Sequence, residues 1–152
     1  MKASILGLAA ASLLAMSTAH AGGEDPTIRR TTYLQPQGKE GIGAQYRDDM
    51  ASATTAIHED NDLPRARTTL LRIAAFCEAL ARPGVRLVAA QDDAQYEQFI
   101  ADHPTGEPTQ FVDMTCADAF KGLAFIDIET RDRDSAMRRL DQAIALAPAW
   151  AD

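Results

Sequence analysis

The fold turns on residues 117–150, ADAFKGLAFIDIETRDRDSAMRRLDQAIALAPAW. Two amphipathic helices are written there. In the first, Phe120, Leu123 and Ala124 recur at the three- and four-residue steps that gather on one helical face. The charged run Arg131-Asp132-Arg133-Asp134 then makes a turn. In the second helix, about Asp134 to Ala147, the apolar stripe is Ala136, Met137, Leu140, Ala143, Ile144 and Ala147, and Pro148 ends it because proline cannot continue a helix. Thr115-Cys116-Ala117-Asp118 ahead of Phe120 is close to a capping box, with Asp in place of Glu. Alanines on such stripes let two rods approach closely, while the larger residues fill the grooves between them.

Working towards the N-terminus, the segment before this hairpin changes character. Val85 to Ala90 is short, partly β-branched and bounded by Gly84 and Gln91-Asp92-Asp93, which predicts a strand. Asp92 or Asp93 caps a short helix running to about Asp102 with Tyr96, Phe99 and Ile100 inward. His103 to Pro108 is a loop, and Thr109 to Met114 offers a second strand. Strand–helix–strand at this length makes a two-stranded parallel ribbon, too small to stand without the helices; irregular loop throughout is the alternative. Further back, Tyr46, Met50, Ala53 and Ile57 predict a helix from about Ala44 to His58. Glu59-Asp60-Asn61-Asp62 breaks it. Asp62 and Pro64 suit the N-cap and first turn of the next helix, whose stripe is Ala66, Leu70, Ile73, Ala74, Cys77 and Leu80. Arg65, Arg67, Arg72 and Glu78 lie off that stripe, and Pro83-Gly84 closes the second hairpin-forming pair.

The first 21 residues are not expected to belong to the fold. Met1-Lys2, the apolar stretch Ile5 to Met16 and the small residues of Ala19-His20-Ala21 form a secretory signal peptide cut after Ala21. The stretch is too short to span a bilayer, and no cysteine follows the cut for lipid attachment. The product is therefore expected to be exported, periplasmic or secreted, with no membrane insertion after cleavage. Residues 22–43 hold five glycines and two prolines and read as a flexible leader, with Thr31 to Leu34 as a candidate extended piece. Residues 44–152 then form one helical repeat-like domain: a first hairpin over 44–82, the α/β insert over 85–114 and the hairpin of 115–148. The formal net charge is −7, one unit more negative without Lys2, so phosphate backbones are repelled and nucleic acid is not an expected partner. Two cysteines, Cys77 and Cys116, each sit on an apolar helical face. In an exported chain they suggest one disulfide; two buried free thiols is the other reading.

Phe120, Leu123-Ala124, Ala136, Leu140, Ala143 and Pro148 together resemble the tetratricopeptide repeat, whose pattern is a large aromatic, Leu with a small residue, then Ala, a large residue, Ala and Pro after the turn. Asp127 departs from it, since that family places Tyr or another large residue there. The helices of 44–82 resemble a more diverged unit in which Ala66 and Leu70 keep the Ala-to-large spacing; an ordinary amphipathic hairpin is the plainer alternative. The resemblance implies a mainly α fold of tetratricopeptide-like hairpins carrying a small α/β insert. It also implies a protein or peptide partner on the concave surface made by each hairpin's first helix, where Asp118, Lys121, Phe125 and Glu129 would be presented. Phe125 stands off the inner stripe, as a binding anchor or packed on neighbouring structure. Ile144 and Trp150, the chain's one tryptophan, mark an apolar edge where a further unit would stack, and imply weak homo-oligomerisation as the alternative role of a structural subunit.

No catalytic constellation is present in the sequence. Beyond the signal only His58 and His103 remain, 45 positions apart. There is no Gly-x-Ser-x-Gly elbow, phosphate-cradling glycine loop or His-Glu-x-x-His. Glu59 to Asp62 lacks the glycine and distant glutamate of a calcium loop, and Pro64 interrupts it. The cysteines are not spaced for a redox or zinc site. The expectation is a non-catalytic binding protein with no cofactor and no metal.

Overall fold

The structure, a computed structural model, describes residues 40–148. The expected signal peptide over 1–21, residues 22–39 of the expected leader with Thr31 to Leu34, and Trp150 lie outside the described residues. A single 3-10 turn over Ala44–Tyr46 leads into α1 (Arg47–His58), followed by α2 (Leu63–Ala79), β1 (Arg86–Ala90), α3 (Asp93–Asp102), β2 (Thr109–Asp113), α4 (Thr115–Glu129) and α5 (Arg133–Leu146). The protein is mainly helical with one small parallel sheet.

The helices begin where aspartates cap them. Asp62 accepts from the Arg65 N–H at 3.0 Å, Asp92 from Gln95 at 2.8 Å and Asp132 from Ser135 at 3.1 Å, each satisfying a donor that the first helical turn leaves open. Both hairpins turn in a related way. A residue at positive φ, Asn61 (φ 52°) or Arg131 (φ 63°), is followed by the capping aspartate, whose own N–H returns to a carbonyl of the preceding helix. Helix α4 departs from the expected capping box: neither Thr115 nor Asp118 closes it. Asp113, the last residue of β2, accepts from the Thr115 backbone N–H at 3.0 Å and from its hydroxyl, so the strand end caps the helix.

Helix α4 sits at the centre. It packs most extensively on α5, then on α2, with α1 touching it along one side. Leu70, Ile73, Phe120, Leu123 and Ile126 are buried at these crossings together with Ala66, Ala119, Ala136 and Ala143. The approach of α2 to α4 is close enough that a Cβ on Gly122 would stand 2.9 Å from Leu70 Cδ1. In α5 the alanines face the core as expected, but Met137 and Ile144 do not: each is 51% exposed. The stripe is wider than the surface α4 covers, so its outer half is left facing water.

The β1–α3–β2 unit pairs Arg86 with Thr109 through Ala90 with Asp113 in parallel register. One face of the sheet (Val88, Ala90, Phe111) holds Tyr96, Phe99 and Ile100 of α3 in a small separate core. The other face sends Ala89 and Val112 into the helical core, which is how so small a sheet is supported. The expected leader enters the fold before Gly43. Ile42 forms a parallel bridge to Val112, donating to the Phe111 carbonyl at 3.3 Å and accepting from Asp113 at 2.9 Å. Backbone contact there leaves no room for a side chain at Gly41, where a Cβ would lie 2.5 Å from Asp113 N.

Cys77 and Cys116 are joined as a disulfide with Cα atoms 5.7 Å apart, tying the C-terminal turn of α2 to the first turn of α4. Both are buried, and among the described residues no free cysteine remains.

Candidate functional site

Three of the residues expected on a binding surface, Asp118, Lys121 and Phe125, come together along the seam between α1 and α4. A groove with a volume of about 440 Å³ runs there, its walls Met50, Thr54, Ile57 and His58 of α1 and Asp118, Lys121, Gly122 and Phe125 of α4. Period-3.6 geometry places Asp118, Lys121, Gly122 and Phe125 on one side of α4, and the same spacing places Met50, Thr54 and Ile57 on the facing side of α1. Three of the four expected positions therefore share one concavity. Glu129 does not. It lies exposed at the last turn of α4, beyond the groove.

Phe125 is neither free in solvent nor buried. Its ring is 5.9 Å from the His58 ring in a tilted arrangement, and the residue remains 39% exposed. The two readings of Phe125 thus merge: it packs on the preceding hairpin and still offers a ring face to the groove. His58, at the C-terminal end of α1, is exposed and belongs to this aromatic pair. At the middle of the groove Lys121 and Asp118 form an ion pair at 3.2 Å. Towards the other end the groove continues past Met50 and Thr54 to Arg47, Gln91 and Asp113. Arg47 donates twice to the buried Asp113 carboxylate, at 3.0 Å through Nε and also through Nη2, and reaches Glu40 at 3.2 Å. Hydrogen bonding to Asp113 and its charge hold the guanidinium pKa above its ordinary value, so Arg47 is a fixed cation at that mouth.

The seam is apolar in its walls and carries both signs of charge at its rim. Such a surface can hold a segment of another chain through an aromatic contact and a few polar bonds. His103 is elsewhere: it stacks on Phe99 at 4.5 Å, far from His58 in the fold's α/β part, so the two histidines do not meet.

Sequence reasoning missed the Arg47–Asp113 pair and one other. Asp127, the residue that breaks the repeat pattern, is 1% exposed and accepts from Arg67 Nη1 of α2 at 2.7 Å. Its second oxygen has no partner among the described residues. A buried carboxylate is costly unless paired; the signal was available in Arg67 off the α2 stripe and Asp127 on the α4 stripe, but nothing local joined them.

No helix among the described residues is long and apolar enough to cross a membrane. Comparisons of the chain with protein-family models, with curated proteins and with solved structures find no match.

Proposed function

We propose that this is an exported, non-catalytic protein-interaction module of tetratricopeptide-like build, which holds a peptide segment of an envelope or secreted partner in the α1/α4 groove. The single observation carrying the reading is Phe125, paired with His58 yet 39% exposed, in a groove whose charged rim comes from the same helix face. The repeat character is supported by the likeness of the two hairpins. Asp62, Ala66 and Leu70 of the first recur at the same four-residue steps as Asp132, Ala136 and Leu140 of the second, each aspartate capping and each alanine buried. It is further supported by the order of packing, α1 on α2, α2 on α4 and α4 on α5, in which, the β1–α3–β2 insert apart, each helix packs on the next. The disulfide suits an oxidising compartment.

The test is capture of partners from an envelope extract by the parent chain and by Phe125→Ala, with crosslinking through a photoreactive residue at position 54 to locate contact. Loss of a captured protein in Phe125→Ala, with unchanged helical circular dichroism, supports the reading. Identical capture by both proteins, or crosslinks only to surfaces away from α1 and α4, refutes it.

A further inference from the structure

Helix α4 borders a second cavity on the side away from the α1/α4 groove. Asp127 follows Asp118 by nine positions, about two and a half helical turns, and so faces away from Asp118, Lys121 and Phe125. On that side α2 and α5 both pack on α4. They leave a cleft of about 420 Å³, walled by Arg67 of α2, Asp127 of α4 and Ser135, Arg138, Arg139 and Asp141 of α5. Gln142, also in the wall, bridges α5 to α2 by donating to Glu78 at 3.1 Å. Every one of these side chains is polar or charged, which disfavours an apolar occupant. The volume falls within the range of small-molecule sites, about 300 to 1,000 Å³.

Two groups in this wall lack what their chemistry calls for. Asp127 is 1% exposed and gives one oxygen to Arg67 at 2.7 Å, while its Oδ2 has no partner among the described residues. An open carboxylate oxygen at such depth is costly, and the group that answers it is an N–H donor carrying positive charge. Arg138 has the converse lack. It donates to the Ser135 hydroxyl at 2.8 Å and forms no ion pair among the described residues, so most of its five donors await an acceptor. The Ser135 hydroxyl, accepting from Arg138, keeps its own proton to donate. The Asp132 carboxyl, held low first by the hydroxyl and N–H of Ser135, is lowered further by the charges of Arg138 and Arg67, which puts both guanidiniums at this end of the cleft.

We propose that the cleft binds a small zwitterion, a free α-amino acid, whose ammonium donates to Asp127 Oδ2 and whose carboxylate is held by Arg138 and the Ser135 hydroxyl. A simple anion would meet the carboxylates of Asp127 and Asp141, and a simple cation would meet three guanidiniums. A molecule carrying both signs on neighbouring atoms answers both. Oδ2 is shut off from water in the empty cleft, so the ammonium enters beside Arg67, whose side chain is 39% exposed and able to shift. The site stands apart from the α1/α4 groove and does not depend on what that groove holds.

The test heats the purified chain with each of the common L-α-amino acids at millimolar concentration, since a ligand of the folded state raises the melting temperature. Any that does so is titrated by calorimetry. It is compared with its N-acetyl form, which lacks the ammonium, its amide, which lacks the carboxylate, and acetate. At least one amino acid is expected to bind, with both blocked forms weaker by about tenfold or more, the scale of one lost charge-assisted bond. Arg138→Gln, at an exposed position, and Asp127→Asn weaken binding by a similar factor, whereas Arg133→Gln, on the same helix but outside the cleft, leaves it unchanged. Circular dichroism checks each variant; if Asp127→Asn does not fold, Arg138→Gln and the blocked forms decide. The proposal is overturned if no amino acid binds, if acetate or the N-acetyl form binds as well as the parent molecule, or if Arg138→Gln leaves binding intact.

Discussion

The Arg67–Asp127 pair gives the sharpest test of how this core is built. Asp127 is 1% exposed, one oxygen is held by Arg67 at 2.7 Å and the other has no partner among the described residues. In Arg67→Met the carboxylate keeps its burial and loses its only described counter-charge. Stripping a buried ion of its partner costs about 3 to 5 kcal/mol. The Arg67 side chain is itself 39% exposed, so its truncation admits some water and the lower end, about 3 kcal/mol, is expected. Asp127→Leu is milder, about 1 kcal/mol, because the freed guanidinium can turn to solvent while an apolar side chain fills the site. The double variant should return close to the parent, since well-packed apolar residues commonly replace a buried ion pair without loss. Urea unfolding followed by circular dichroism measures all four corners of the cycle. With a slope near 2 kcal/mol per molar, Arg67→Met lowers the midpoint by about 1.5 M. If Arg67→Met stays within about 0.5 kcal/mol of the parent, or the double variant is no better than Arg67→Met, the pair does not organise the core as argued.

Other expectations follow from the same geometry. Replacing Cys77 and Cys116 together by alanine opens a loop spanning 39 positions and lowers stability by about 4 kcal/mol in the chain-entropy account, measured as a urea midpoint shift that reductant reproduces in the parent. Gly41→Ala drives a Cβ to 2.5 Å from Asp113 N and should cost about 2 kcal/mol or more, seen as faster amide exchange at Asp113 and a lower melting temperature. The Asp132 carboxylate is held below the ordinary carboxylate range by the Ser135 hydroxyl first and then the Ser135 N–H. Its contribution is therefore present above the unfolded-state pKa and fades as pH falls through the lower folded value. Asp132→Ala should weaken the chain at neutral pH and converge with the parent in acid below about pH 4, as read from unfolding at several pH values. A constant difference down to strong acid would contradict that origin.

The helices were legible because their signals are local. Asp62, Asp92 and Asp132 cap the helices that hydrophobic spacing located, since a capping carboxylate and the N–H that donates to it lie three residues apart. The two strands were legible for the same reason, bounded as they are by glycine, aspartate and proline. The α4 cap was misassigned because its acceptor, Asp113, sits two residues before the capping-box pattern, in the strand. Met137 and Ile144 read as core because periodicity reports which side of a helix is apolar, not how much of that side a neighbour covers. Asp118, Lys121 and Phe125 were put on a binding face, together with Glu129, by the tetratricopeptide resemblance; that α1 supplies Met50, Thr54 and His58 opposite the first three had no local signal.

By itself the sequence determined the secondary elements, their order, and most of the aliphatic and alanine positions that face inward, Ile144 being an exception, because each rests on spacings of two to four residues along one chain segment. Only the tertiary structure decided that Arg67 finds Asp127, that Ile42 joins the sheet beside Val112, and that the α1/α4 seam stays open while the α2/α4 seam closes on Gly122. Those choices depend on the angle and distance at which rods cross, which are set by side-chain volumes summed over residues tens of positions apart and leave no periodic mark in any one of them.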